Sequence, residues 1–488
     1  MVLSFIFSFI AFINSFIPQP TIVEGIVGQP KSLNVLDLGT NQPDRDIARF
    51  IHRGLLKYND TGDLVPDLAE NYKVSDDKKE YTFFLRKKLN WHDGRKFSAD
   101  DVIYTVSKLN LQSVEVDKLD DYTVRFSLAR DPYSPFLDLM TQYLLPGNYG
   151  KDEKSGIYQV GIGDFRISRV AKSDKVDSVI LTPAWPWSNQ GYKFTRVIFK
   201  FYESQNDLVT AARLGEVDTL GSTAVIPEMP NFQKISAPVA ARYYALYFNL
   251  KNDSLKNKDL RQYLVSVTPK QEIVKQVLTD GAVISNSPLE YTFVVPSATS
   301  SAVKKFNVKY KKEWNMTLRL TIPEQNSSLH VSKDEDTYMK TAQLVKQTWE
   351  GAGIKVDILQ VPLDKIFTEV IAKKDFDVLL FGQEVSRDPD IYTLWHSAQK
   401  DLPGLDFTSY SSVLVDKSLE EARKEFNKEE RVKYYQNFLK IFNEDVPAAM
   451  LYHPLYTYSF RKDLTGPNLK GFFSLSDRFI NSNRWKKK

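Results

Sequence analysis

The alternation of short apolar runs with longer amphipathic segments in the second half of the chain restricts the fold more than any other feature. From Leu318 onward the pattern predicts strand, helix, strand, helix and strand, with helices over residues 338–350 and 363–373. Strands that alternate with helices form a mainly parallel sheet with helices on both faces. The last strand contains the uninterrupted apolar run Val378 to Phe381, which is typical of a strand covered on both sides. The sequence therefore predicts an α/β protein.

Length and composition narrow the class further. A chain of 488 residues is too long for one ordinary core and predicts two or three domains. A formal net charge of +4 is small for this size and favours neither a nucleic acid nor an acidic membrane patch as partner. The chain has no cysteine, which excludes disulfides, cysteine metal sites and lipid attachment through an N-terminal cysteine.

The N-terminus is unusually apolar. Residues 2–17 carry no charge, and the first charged side chain is Glu24. At about 1.5 Å per residue this run spans roughly 24 Å, slightly less than a bilayer core. A signal-peptide core is normally shorter, follows a basic start and precedes a small-x-small cleavage site, none of which is evident. We expect residues 1–19 to form a membrane anchor; a cleaved signal or a buried helix is the alternative.

A compact α/β unit is predicted near the start of the soluble part. Leu68 and Ala69 are expected in a short helical turn, and residues 74–77 in a polar turn. The aromatic run 81–85 predicts a strand. Ser98 is a good N-cap for a following helix, with Asp101 three residues later.

The amino-acid sequence of this unit matches a long, specific family motif. The run PDLAENYKVSDDKKEYTFFLRKKLNWHDGRKFSADDV closely resembles the signature of extracytoplasmic solute-binding proteins of family 5, the dipeptide- and oligopeptide-binding type. The resemblance extends from residue 21 to residue 472. It implies a two-lobed fold like that of type II periplasmic binding proteins, with a small additional subdomain in the first lobe.

The resemblance also implies a domain division and a role. Residues 20–245 are expected to form lobe 1, with the subdomain at 45–155, and residues 246–455 to form lobe 2. Residues 456–488 are expected to return to lobe 1 and end in a basic tail. The implied role is capture of oligopeptides between the lobes, outside the cytoplasmic membrane, and delivery to the permease subunits of an ABC transporter.

Chemistry that would indicate an enzyme is not apparent in the sequence. The five histidines are scattered without metal-ligand spacing, and no P-loop, GxSxG or GxGxxG motif is present. His92 lies inside the family signature, where a role in the fold is expected. We therefore predict no catalytic residue, no metal site and no cofactor. A pair of glycosidase-like carboxylates is invisible to sequence, because spatial pairing cannot be read from it.

The resemblance also locates an expected ligand site. In peptide-binding relatives an aspartate just after the central strand of the second lobe pairs with the ligand's α-ammonium, ahead of a turn that Asp388-Pro389 matches here. Counting back places Val385 at that position, with Glu384 beside it, and a valine cannot pair with an ammonium. We therefore expect an extended ligand held mainly by main-chain hydrogen bonds; a register shifted by one, with Glu384 as the anchor, is the alternative. The expected ligand-binding residues are Thr40, Asn41, Gln42, Gln383, Glu384, Val385, Arg387, Asp388 and Trp395.

Two other functional classes stay open at this stage. One is a membrane-tethered hydrolase or chaperone-like module, which a carboxylate pair roughly 5–9 Å apart in the cleft would favour. The other is the same fold binding a nonpeptide solute such as a sugar, an opine or a metal chelate. Stacked aromatic rings in the cleft would favour a sugar, whereas apolar walls and free main-chain groups would favour a peptide.

Overall fold

The structure is a computed structural model that describes residues 20–39, 41–109, 111, 113–129, 131–147, 160–185, 191–295, 306–324, 337–401 and 403–488. The expected membrane anchor at residues 1–19 lies outside these ranges. Within them, no helix is long and apolar enough to span a membrane.

Twenty strands and eleven α-helical segments make up the described part of the chain. The strands are β1 Thr21–Val27, β2 Leu56–Tyr58, β3 Leu64–Pro66, β4 Ala69–Val74, β5 Glu80–Leu85, β6 Val114–Asp120, β7 Thr123–Leu128, β8 Phe165–Lys172, β9 Val176–Pro183, β10 Arg196–Tyr202, β11 Thr219–Ser222, β12 Phe232–Pro238, β13 Arg242–Phe248, β14 Ala282–Ile284, β15 Thr317–Glu324, β16 Lys355–Pro362, β17 Val378–Glu384, β18 Ala448–Arg461, β19 Leu464–Thr465 and β20 Lys486–Lys487. The helices are α1 Gln42–Ile51, α2 Ala99–Leu109, α3 Phe136–Leu139, α4 Gln205–Arg213, α5 Lys258–Ser266, α6 Lys270–Glu272, α7 Thr337–Gly351, α8 Leu363–Lys365, α9 Tyr392–Trp395, α10 Val413–Lys424 and α11 Lys428–Asp445.

One long strand, β18, joins the two halves of the molecule. Its first half pairs with β13 and β14, and its second half pairs with β11 and β12. The chain also passes between the halves directly, because β12 ends at Pro238 and β13 begins at Arg242. We call the part around β1 and β8–β12 the first lobe and the part around β13–β17 the second lobe. The predicted two-lobed α/β fold is confirmed.

The βαβαβ pattern of the second lobe is confirmed. Strands β16 and β17 both run parallel to the central β15, while β13 and β18 add antiparallel strands beyond β17. The second predicted helix differs in detail. It has a single α-helical turn, α8, and continues as a π-helical turn over Ile366–Ile371.

The signature region folds into a small antiparallel sheet of order β4-β5-β7-β6. The polar turn at 74–77 and the strand at 81–85 are found as predicted. Helix α2 also follows Ser98, whose N–H donates to the Asp101 carboxylate at 2.9 Å. The predicted helical turn at Leu68 and Ala69 is wrong: Ala69 begins β4, because both side chains are fully buried in the core under the sheet.

Separate hydrophobic cores underlie these sheets. Two clusters lie in the second lobe, one on each face of its sheet, around Trp395 and Trp349 respectively. Another cluster in the first lobe joins residues of β1 and β10 to Trp485 near the C-terminus. The small sheet has its own core around Trp91. The residue bounds expected for the lobes and the subdomain stay a prediction.

A buried ionic network ties the C-terminal segment to the first lobe. The Arg478 guanidinium donates to Glu24 of β1 at 3.0 Å and to both carboxylate oxygens of Asp46 of α1 at 2.9 and 2.6 Å. The hydroxyl of Tyr458 in β18 donates to Glu24 at 2.8 Å, and Thr219 of β11 donates to the same oxygen. The side chains of Arg478, Glu24 and Asp46 are no more than 3% exposed. The single cation therefore holds β1, α1 and the C-terminal segment together, while Glu24 reaches on to β11 and β18.

We expect Arg478→Met to lower the free energy of unfolding by about 3–5 kcal/mol, because it leaves two buried carboxylates without their cation. Urea unfolding followed by tryptophan fluorescence measures the change. Arg484→Met is the matched control, since its pair with Asp60 is 65% exposed on the arginine side and should contribute less than about 1 kcal/mol. Equal losses in the two variants would contradict this account of the network.

Candidate functional site

The two lobes meet where α1 of the first lobe faces the end of β17 in the second. Arg45 of α1 donates to the Gly39 carbonyl at 2.8 Å, and its terminal nitrogens lie 3.3 and 3.4 Å from the Glu384 carboxylate. The other oxygen of Glu384 accepts from Arg242, with a 3.2 Å bond to Nε. Burial pushes the pKa of Glu384 upward, but the charges of Arg242 and Arg45 outweigh it and hold the pKa below its ordinary value. Glu384 is thus an ionised carboxylate shared by two arginines.

The side chains of Gln383 and Trp395 are buried inside the second lobe. Gln383 is 6% exposed, and its side-chain oxygen accepts from the hydroxyls of Tyr243 and Tyr247 at 2.9 and 2.8 Å. Trp395 is 1% exposed and packs edge-on against Phe442 in the same core. Both side chains were expected at the ligand; they are buried in the second lobe, and their contact with a ligand stays a prediction.

Val385 contributes to the connection between the lobes. Its N–H donates to the Ala241 carbonyl at 2.8 Å, and its side chain packs against the small cluster of Ala240, Ala241 and Phe473. This residue marks the end of the β13–β17 pairing. On the other side of β17, the parallel pairing with β15 reaches only Leu379. Among the described strands, none pairs with residues 382–384 on that side.

Arg387 contacts the first lobe, whereas Asp388 is paired within the second lobe. Arg387 donates to the Gly471 carbonyl at 3.0 Å and to Asp477 at 2.6 Å, both in the C-terminal segment of the first lobe. Its guanidinium lies between the rings of Tyr58 and Phe473, 4.6 and 4.9 Å from their centroids. Asp388 accepts two bonds from Arg431 at 2.7 and 2.5 Å. Arg387 is therefore a direct link between lobes, whereas Asp388 acts within the second lobe.

A second contact joins the small subdomain to the second lobe. The Tyr133 hydroxyl donates to Asp390 at 2.8 Å, and Asp390 also accepts from Arg423 at 2.6 Å. The Ser134 N–H donates to the Arg423 carbonyl at 2.7 Å, so main chain as well as side chains take part. This contact and those of Arg387 join the two lobes directly.

In the expected ligand loop before α1, the side chains of Asn41 and Gln42 form hydrogen bonds within the protein. Asn41 donates to the Gln29 carbonyl at 3.1 Å and to Asp44 at 2.6 Å. Gln42 donates to Asp46 at 2.7 Å and to Ser476 at 2.9 Å. Thr40 lies outside the described residues. The amides of Asn41 and Gln42 therefore shape the loop.

A cavity of about 660 Å³ opens beside this loop. It lies between α1, the start of the small subdomain and the C-terminal segment, and Gly39 and Arg45 line its edge. Five cations line it: Arg45, Arg49, Arg53, Lys57 and Arg484. The carboxylates that line it are Asp60, Asp67 and Asp164.

Ion pairs account for most of these charges. Asp67 pairs with Arg53 at 2.5 Å and with Lys57 at 3.1 Å, and Asp60 pairs with Arg484 at 2.6 Å. His52 also lines the cavity, where burial lowers its pKa to about 4 and keeps the ring neutral at pH 7. The lining formally carries two more positive than negative charges. This cavity was not predicted from the sequence, although the spacing of Arg45 and Arg49, four residues apart on one helix face, gave a signal for it.

The histidine of the signature region, His92, is bound to main-chain groups. His92 contacts the Gly163 carbonyl at 2.9 Å and accepts from the Gly161 N–H at 3.3 Å, and so fixes a loop as expected. In the described ranges, no group of three histidine, aspartate or glutamate side chains could hold a metal ion. The described site brings charged side chains of the two lobes into contact at Arg45 and Glu384, with a basic cavity of the first lobe beside them.

This arrangement defines a two-lobed solute receptor of the periplasmic-binding-protein type. The sequence model described as bacterial extracellular solute-binding proteins, family 5 middle, matches residues 63–401. The chain belongs to this family of extracytoplasmic solute-binding proteins, as its signature region indicated.

Individual relatives agree with the assignment. The oligopeptide-binding protein AppA of Bacillus subtilis (strain 168) is 26% identical over 493 aligned positions, covering 91% of this chain and 88% of that protein. The structure of AppA with a nonapeptide has a TM-score of 0.73 at 21% identity, covering 96% of this chain and 100% of that one. NikZ of Campylobacter jejuni, in complex with Ni(L-His), has a TM-score of 0.72 at 23% identity over 96% and 100% of the two chains. The structural likenesses establish the shared fold.

Proposed function

We propose that this protein captures a peptide or peptide-like ligand between its two lobes and delivers it to the permease subunits of an ABC transporter. Family membership supports capture of a solute outside the cytoplasm. The observation that carries the peptide assignment is the edge of β17 at residues 382–384, which no described strand covers on the β15 side. An extended peptide binds such an edge through its main chain.

Strand geometry identifies which main-chain groups serve the ligand. Successive residues in a strand direct their N–H and C=O groups to opposite sides. Because the Val385 N–H bonds to Ala241 of the β13 side, the N–H and C=O of Glu384 point away from β13. The hydroxyl of Tyr338 hydrogen-bonds to the Gly382 main chain. The ligand contact therefore centres on the main chain of Glu384, rather than on all of residues 383–385.

The charge balance at Glu384 supports weak dependence on a free ligand N-terminus. Its carboxylate already forms ion pairs with Arg45 and Arg242, and the adjacent residue is the apolar Val385. An ammonium that approached Glu384 would have to compete with both guanidinium groups. The main role proposed for Glu384 is to bridge the lobes through Arg45 when the ligand is bound.

Matched peptides test this assignment by calorimetry. A peptide that co-purifies with the protein, identified by mass spectrometry, should bind within about fivefold as the free and the N-acetylated form, because main-chain bonds are unchanged by acetylation. Glu384→Gln should not alter that ratio, and Glu369→Gln, an exposed glutamate of the same lobe, serves as the control. A loss of fiftyfold or more on acetylation that Glu384→Gln abolishes would show that Glu384 anchors the ammonium.

The two-lobe division and hinge belong to this proposal. Residues 20–245 with the segment from 456, and residues 246–455, are proposed as the two bodies that move. The crossings at residues 239–241 and within β18 support a division into two bodies, because main-chain pairing changes from one lobe to the other there, although the first crossing lies a few residues before the proposed bound at 245. A nonpeptide solute is the alternative ligand. The charged lining of the cavity favours a charged group over a sugar in either case.

We also propose that the protein is tethered to the cytoplasmic membrane by residues 1–19, on the strength of their apolar, charge-free sequence. When the chain is expressed in a bacterial host, the full chain should sediment with membranes, and a version that starts at Thr21 should remain in the soluble fraction. Intact full-length protein in the soluble periplasmic fraction would rule out the tether.

A further inference from the structure

The basic cavity beside the cleft contains an arginine whose charge is not compensated at contact distance. Arg45 and Arg49 are four residues apart in α1, so they lie on one face of the helix, about 6 Å apart along its axis, and Arg53 follows just after the helix ends at Ile51. All three line the cavity. The opposite face of the helix is buried through Ile47, Phe50 and Ile51. The guanidinium groups of Arg45 and Arg49 thus face the cavity from the helix, and Arg53 adds a third from the segment that follows it.

Four of the five cations that line the cavity pair with carboxylates. Arg45 pairs with Glu384, Arg53 and Lys57 pair with Asp67, and Arg484 pairs with Asp60. For Arg49, the described part of the chain provides no carboxylate within ion-pair distance. The group that raises its pKa most is the hydroxyl of Tyr143, a neutral group that also lines the cavity. Asp67 and Asp477 act on it only at longer range.

A half-buried guanidinium of this kind suits one ligand chemistry. Arginine presents a planar fork of donors that matches a carboxylate with two parallel hydrogen bonds. A volume of about 660 Å³ accommodates the end of a small ligand. Arg45 connects this cavity to the cleft, because it lines the cavity and also contacts Glu384 of the second lobe.

We propose that the cavity is a carboxylate subsite in which Arg49, supported by Tyr143, receives a carboxylate of the ligand held in the cleft. The ligand enters beside Gly39 and Arg45, and its anionic group ends against α1 of the first lobe. The inference rests on the proposed peptide-binding function and adds a preference for ligands with a carboxylate at this end. A carboxylate can come from the ligand's C-terminus or from an acidic side chain.

A capture experiment separates these sources. The full chain is incubated with three random tetrapeptide libraries: free acids without aspartate or glutamate, the same peptides as C-terminal amides, and C-terminal amides that contain aspartate or glutamate. Retained peptides are quantified by mass spectrometry. We expect at least one carboxylate-bearing library to be enriched about tenfold over the neutral amides, as charge-assisted bonds of this strength predict. The enriched library identifies the source of the carboxylate.

Variants assign the preference to Arg49. Arg49→Gln keeps a side-chain donor for Tyr143 but removes the charge, and should reduce the enrichment to about twofold or less. Arg49→Lys should retain an intermediate preference. Arg213→Gln, on an exposed face of α4, should leave the preference unchanged. Thermal unfolding curves of the variants check that each one folds.

The outcomes test the carboxylate subsite separately from peptide capture. Peptides retained without preference for any carboxylate, or a preference that survives Arg49→Gln in the folded variant, would overturn the carboxylate subsite and leave peptide capture intact. Retention of no peptide from any library would count against the proposed function itself.

Discussion

The contact of Arg478 with Glu24 and Asp46 is the interaction on which the geometry of the first lobe depends. It is buried, it joins residues 454 and 432 positions apart in sequence, and it fixes α1 against β1. Replacing a buried ion pair by apolar side chains often costs little, but removing one partner leaves a charge that nothing solvates. The main effect of the network is therefore to fix the position of α1. Its net contribution to the free energy of unfolding, relative to apolar side chains at these positions, is small. Asp46 also accepts hydrogen bonds from the side chains of Gln42 and Ser476, so the start of α1 and the C-terminal segment are held together.

The placement of α1 links the core to the ligand site. With Asp46 bound to Arg478 on one side, Arg45 and Arg49 are turned towards the cleft and the basic cavity. Arg45 then reaches Glu384 of the second lobe, and Arg387 reaches back to Asp477 of the first. Both contacts join the two lobes directly. A ligand that binds both lobes shifts the population towards the state with these contacts in proportion to its preference for it.

Local features of the fold could be predicted from sequence because they depend on neighbouring residues. The helix that follows Ser98, the strand at 81–85 and the helix Thr337–Gly351 all follow from short-range patterns. The family signature then supplied the two-lobed arrangement. The site could be predicted only in part, because Gln383 and Trp395 take their positions from contacts with Tyr243, Tyr247 and Phe442 that no local pattern reveals. The uncompensated charge of Arg49 likewise became visible only when its neighbours in space were known.

The central claim is that a ligand holds two mobile lobes together, and small-angle X-ray scattering tests it most directly. The protein is freed of bound solute by partial denaturation and dialysis, and its radius of gyration is measured with and without a saturating amount of a peptide that it retains. The account predicts a smaller radius with the peptide, by more than the error of the measurement. An unchanged radius at saturation, with binding verified by calorimetry on the same sample, would contradict capture by lobe closure.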